Sequence, residues 1–197
     1  SVALYSGDST AAATGAVRVA SGHSAGLRSG DITAMAGNSA LDGARVSISA
    51  GASSGGMGGI LQVIGGKSVV GVGGTIELSG GHGGAVGGAI ELQSGASTSA
   101  STGDLTIKTR DATAGKSGYV QVTTGEAALG SSGEVSLSSG ASTTGSGGNV
   151  CLRVGAGSTA TGGGVCLEAG RSSGSAGGTI SISGGESAGT GGAVNVL

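Results

Sequence analysis

Cys151 and Cys166 stand fifteen residues apart, each between two aliphatic residues: Val150 and Leu152 in one case, Val165 and Leu167 in the other. If the two segments run side by side, a strand spacing of about 4.8 Å falls within the ~4.4–6.8 Å Cα separation that a disulfide tolerates. The pair is therefore open to an internal disulfide, to two free thiols, or to a cross-link with a neighbouring chain. No other Cys or His shares that neighbourhood, so no metal site is expected there. His23 and His82 take the same repeat position but lie four repeats apart, about 19 Å at strand spacing, too far to share an ion. They read as solvated turn residues.

The carboxylates are scattered. Asp8, Asp111, Glu126 and Glu186 share one repeat position, after Gly in three cases and after Arg110 in the fourth, and Glu77 and Glu91 recur at another. Paired carboxylates hydrolyse glycosides when they face each other across a cleft. No repeat here carries an insertion that could wall one, so these side chains read as a solvated face, with Glu77 beside Glu91 mildly repulsive. The glycines from Gly80 to Gly88 imitate a phosphate loop, but no helical pattern follows to supply an N-terminus. No catalytic residue and no cofactor is expected.

What positions all these residues is a repeat, x-V-x-L-x-x-G-x-S-x-x-G-x-G-G, with Val, Ile and Leu exchanging freely. It starts at Ser1, Ala16, Asp31, Arg45, Ile60, Thr75, Ala89, Asp104, Tyr119, Glu134, Asn149, Gly164, Thr179 and Ala193, in steps of 15 residues with three steps of 14. The second position is an aliphatic column from Val2 to Val194. The fourth runs from Leu4 to Val196, interrupted by Ala34. Two apolar residues separated by one variable residue have the period of a strand with one covered face. The rest of each repeat is Gly, Ser, Ala and Thr, with Gly where a turn through positive φ would want it. The serines Ser9, Ser24, Ser39, Ser53, Ser68, Ser97, Ser142, Ser172 and Ser187 alternate with small residues, which leaves room for a second short strand.

The predicted fold is all-β: one single-domain array over 1–197, a parallel β-solenoid (β-helix or β-roll-like) with coils of about 15 residues and a thin, flattened core. Calcium β-rolls place an Asp in every turn, and Ser, Ala or Thr stands there instead. Composition agrees with a ladder-rich backbone: 48 Gly among 197 residues, no Pro, no Phe, no Trp and two Tyr. Collagen is excluded by the missing Pro and the wrong glycine period, and the scheduled aliphatics with sparse charge argue against a disordered chain. Nine basic against eleven acidic side chains leave no electrostatic footprint for nucleic acid or an anionic membrane. No apolar run is long enough for a membrane span, so no membrane insertion is expected. The first residue is Ser, Ser1 opens within the repeat and Leu197 closely follows an aliphatic position, so a segment of a longer array, or a unit stacking head to tail, is expected.

Segments such as GGTIELSGGHGGAVGGAIELQSG at 73–95 and GGTISISGGESAGTGGAVNVL at 177–197 resemble the Gly/Ser-rich solenoid repeats of predicted extracellular structural proteins of algae and other stramenopiles. The resemblance covers the whole chain and implies a secreted or cell-surface structural protein; it implies no role for any single residue. The expected function is thus a structural, non-enzymatic one: building or decorating an extracellular filament or surface assembly by stacking and lateral packing, with other copies as partners. The alternative is a fibre-borne adhesin with a glycan partner, or an ice-binding rod. It would use a flat face of Thr10, Ala25, Ala40, Ser54, Thr98, Thr113, Thr143, Ser158 and Ser173. Against that alternative, no T-x-T ladder repeats, and Arg18, Asp31, Arg45, Glu77, Glu91, Asp104 and Glu134 charge the strand face.

Overall fold

A repeat with only two aliphatic residues among fourteen or fifteen has little apolar surface to bury, and its glycines lose more backbone freedom on ordering than any other residue. What such a repeat does locally is visible in a computed structural model of the chain, which describes residues 2–158 and 161–196. Among the described residues there is no strand, no sheet and no helix. The all-β parallel solenoid, the β-helix stacking and the thin flattened core expected from the periodicity are therefore not formed. Ser1 and Leu197, on which the expectation of open ends was placed, lie outside the described residues.

The aliphatic columns show why. A stacked solenoid buries them by laying one repeat's backbone ladder on the next, yet Ile76 remains 50% exposed and Leu78 69%. No residue among those described is buried. The chain leaves 19505 Å² accessible. A folded monomer of 17.8 kDa leaves about 8,000 Å², and the same chain fully unfolded about 26,000 Å². The period of two was read correctly as a pattern, but no second surface arrives to cover it.

Order is instead local and periodic. The chain divides into two units, Ser1–Gly103 and Asp104–Leu197. In the first, the backbone bends sharply at 10–12, 25–27, 40–42, 54–56, 69–71, 84–86 and 98–100. In the second it bends at 113–115, 128–130, 143–145, 173–175 and 188–190, with a further bend at Ser158. Each bend follows the same place in the repeat.

The residue before the bend explains it. All nine serines of the column accept a backbone N–H from two or three residues ahead: Ala12 to Ser9 Oγ at 3.0 Å, Gly56 to Ser53 at 2.9 Å, Gly71 to Ser68 at 2.8 Å, Gly145 to Ser142 at 2.9 Å and Ser175 to Ser172 at 2.9 Å are typical. This is the Ser/Thr turn, in which a short hydroxyl side chain stands in for a backbone acceptor. The serines thus hold bends; they do not form the second strand expected of them. Where Ala112 and Ala127 replace Ser, the third bend residue is a glycine with positive φ, Gly115 at 88° and Gly130 at 97°. A left-handed glycine turns the chain without a hydroxyl. Gly7 is the one further positive-φ glycine among the described residues, so most glycines serve another purpose.

In six repeats that purpose is the closure of the loop around the bend. In the first unit the N–H groups of Gly59, Gly74, Gly88 and Gly103 donate to the carbonyls of Gly51, Gly66, Gly81 and Gly95 at 2.9, 2.8, 2.9 and 3.0 Å. In the second, Gly178 and Gly192 donate to Gly170 and Gly185 at 2.8 and 2.9 Å. These necks are tight: a Cβ on Gly80 would strike the Gly88 carbonyl, and one on Gly184 the Gly192 carbonyl. Two of the three short repeats keep the neck; the third, which ends at Ala44, makes no such bond among the described residues. Gly81 to Gly88 and Gly185 to Gly192 span one residue fewer than the others, and the missing residue falls between the bend and the returning glycine. A change from 15 to 14 residues is thereby absorbed inside the loop.

Replacing Ser53 by Ala removes one net hydrogen bond, so the Gly56 amide should exchange with solvent roughly two- to tenfold faster, read by residue-resolved hydrogen exchange; Gly115→Ala should open its bend, and an unchanged 113–115 chemical-shift pattern would contradict the turn assignment.

Candidate functional site

The residues with chemistry to offer sit outside the necks and bends, on exposed backbone. Cys151 and Cys166 both carry free thiols and both are exposed. The strand-to-strand spacing that would have set their separation is not formed, so the ladder argument for a disulfide no longer applies to them. His23 and His82 are exposed, each at the residue before a bend-leading Ser24 or Gly83. Asp8, Asp111, Glu126 and Glu186 are exposed as well, and so are Glu77 and Glu91. Glu91 Oε1 instead accepts from Gln93 Nε2 in its own repeat.

No three of the described His, Cys, Asp and Glu side chains come together as a metal-binding group. No cavity is present among the described residues. Among the described residues one ion pair is made, Arg28 Nη2 to Asp31 Oδ1 at 3.3 Å, across the step from one repeat to the next and largely exposed. Exposed pairs of this kind are worth about 0–1 kcal/mol. No helix among the described residues is long and apolar enough to cross a membrane.

The places of least exposure are elsewhere. Ala36, Gly65, Ala169 and Gly184 are half-buried, and all four occupy the neck position one residue before the outgoing glycine. Ser24 and Gly83, which lead their bends, complete the set. The neck column also takes larger residues. Thr109, Thr124 and Val154 stand there, and a Cβ built on the returning Gly118, Gly133 or Gly163 would lie 3.3, 3.4 or 2.8 Å from their γ carbons. In these repeats a side chain fills the neck that Gly65, Gly80 and Gly184 leave to a carbonyl.

Sequence reasoning placed the bends within the Gly/Ser stretch and singled out the serine column, but it missed the neck. The signal for it was present: Gly recurs six residues after each start, except at Arg110, and one residue before the next start, except at Ala44. The small-residue face of the alternative reading also has a place. Thr10, Ala25, Ala40, Ser54, Thr98, Thr113, Thr143, Ser158 and Ser173 are each the first residue of a bend. No known protein family, curated protein or solved structure matches this chain.

Exposed thiols react without unfolding. Both cysteines should react with a chromogenic disulfide reagent in native buffer at one rate within a factor of about ten, as expected for two solvent-accessible thiols; reaction only after denaturant would contradict their exposure.

Proposed function

We propose that this chain is a structural, non-catalytic protein that forms or decorates an extracellular filament or surface assembly, associating with further copies through its repeats. The observation that carries this reading is the pair of aliphatic residues left uncovered in every repeat. Val17, Ile76, Ile180 and Val194 all remain about half exposed. Removing such surface from water contributes about 25 cal/mol per Å², and within one copy nothing among the described residues takes it up. Apolar surface that recurs on a fixed schedule is best covered by another surface with the same schedule, and a second copy supplies one.

Two further features support association over solitary life. The rest of each repeat, beyond the aliphatic segment, is mostly Gly, Ser, Ala and Thr, whose small side chains let neighbouring backbones approach closely. The net charge of −2 leaves little repulsion between copies. The extracellular setting rests on the resemblance of 73–95 and 177–197 to secreted repeat proteins and on a sequence that lacks the charge pattern of a nucleic-acid or membrane binder.

Sedimentation velocity over a wide concentration range tests the reading. Association should grow with concentration, and the quadruple variant Ile76→Ser, Leu78→Ser, Ile90→Ser, Leu92→Ser should weaken it at least about tenfold, since each side chain is at least half exposed and its loss leaves no internal cavity; a monodisperse monomer at every concentration would remove the proposal.

A further inference from the structure

The charges of this chain are left over by its own structure. Among the described residues Arg28 and Asp31 make the one ion pair, and every other charged side chain stands exposed without an ionic partner. Each bend follows the same place in the repeat, so equal repeat positions are equivalent places on the chain. The charges can therefore be compared position by position from one repeat to another.

Charged residues that hold the same position four repeats apart, 59 or 60 residues along the chain, are opposite in sign with one exception. At the eighth position Asp8 is followed four repeats on by Lys67, Lys67 by Glu126, and Asp111 by Arg171. Arg18 and Glu77 share the third position in the same way. Arg45 and Asp104 share the first, and Lys108 and Glu168 the fifth. The exception is Glu126 with Glu186. Six opposite pairs thus stand against one like pair. A separation of one repeat gives three against two, and no other separation gives more than two opposite pairs. A tandem duplication of four repeats would copy the sign of a charge, whereas here the sign reverses.

We infer that copies of this chain associate in parallel with a shift of four repeats, so that these charges face one another across the contact; the inference rests on the self-association proposed above and specifies its register. Parallel copies without a shift would set every charge against its own counterpart, and like charges directly opposite are destabilising. The aliphatic pair recurs in each repeat, so any shift by whole repeats leaves the apolar contact much the same. Burial then supplies adhesion, and the charges choose among the shifts. Four of the six opposite pairs lie inside a single unit: Asp8 with Lys67 and Arg18 with Glu77 in Ser1–Gly103, and Lys108 with Glu168 and Asp111 with Arg171 in Asp104–Leu197. Each unit therefore carries the signal by itself. Lys67 has an acidic counterpart in both directions, Glu126 on one neighbour and Asp8 on another. A shifted contact uses different surfaces on its two partners, so it does not close on itself and passes on to a third copy, as a filament requires.

The experiment mixes unlabelled and nitrogen-15-labelled full chain in denaturant, returns it to neutral buffer of low ionic strength, where exposed charges are least screened, and adds a water-soluble carbodiimide, which joins lysine amines to carboxylates in contact. Sedimentation velocity reads association, and mass spectrometry of the peptides reads the links between light and heavy chains. The expected links join Lys67 to Asp8 and to Glu126, and Lys108 to Glu168. Lys116, which meets Met57 or Ala176 at this shift, serves as the internal control and should give no dominant link. Arg18→Glu should weaken association about two- to tenfold and Arg18→Glu combined with Glu77→Arg should restore it, while Lys116→Glu, with the same change in net charge, should leave it within about twofold. Association that persists with links set at other shifts, or with a charge swap that fails to restore it, would overturn the register and leave self-association standing. A monomer at every concentration would overturn both.

Discussion

A backbone hydrogen bond between two glycines, one leaving a bend and one returning to it, is the interaction on which the rest of this structure depends. From Gly51 and Gly59 in one unit to Gly185 and Gly192 in the other, it brings two runs of chain so close that a Cβ on the returning glycine would lie 3.1 Å from the amide nitrogen of Gly51 or Gly185. In five of the six repeats that make it a Ser hydroxyl holds the bend inside the loop, as Ser53 does, while the loop between Gly81 and Gly88 closes around a bend led by Gly83. The bond also explains why the repeat tolerates a lost residue. The neck is set by its two glycines, and a shorter loop still reaches across.

The backbone bonds of the necks run within a repeat, not from one repeat to the next. The aliphatic residues on either side are then presented to solvent. This inverts the usual relation between polar and apolar parts: the least exposed residues are Ala36, Gly65, Ala169 and Gly184 at the necks with Ser24 and Gly83 at the bends, and most of the aliphatic ones are half exposed or more. A protein organised this way has its local geometry determined by each repeat and its burial left to association.

Much of the local pattern was legible in the sequence. The period, the short repeats and the place of the turns follow from the spacing of Val, Ile and Leu against Gly and Ser, and the bends appear at those places. The chemistry-bearing side chains were read as scattered, and His23, His82, Glu77 and Glu91 stand exposed, each in its own repeat. What the pattern could not convey is burial. Alternation at Ile76 and Leu78 says which side of the backbone is apolar; it does not say that another surface will meet that side. The role of Ser53 and its equivalents was misjudged for a related reason. A hydroxyl flanked by small residues suits a close-packed strand and a capped bend equally well, and the i+3 amide that decides between them carries no mark of its own in the sequence.

Residue-resolved amide hydrogen exchange on the dilute monomer tests this account most directly. Protection should be confined to the returning glycines Gly59, Gly74, Gly88, Gly103, Gly178 and Gly192 and to the bend amides held by Ser, such as Gly56, Gly71 and Gly145, while the amides of the aliphatic pairs exchange at the rates of an open chain. Contiguous protection across 46–48, 61–63 and 76–78 in the monomer would show ladders running from repeat to repeat and would contradict it.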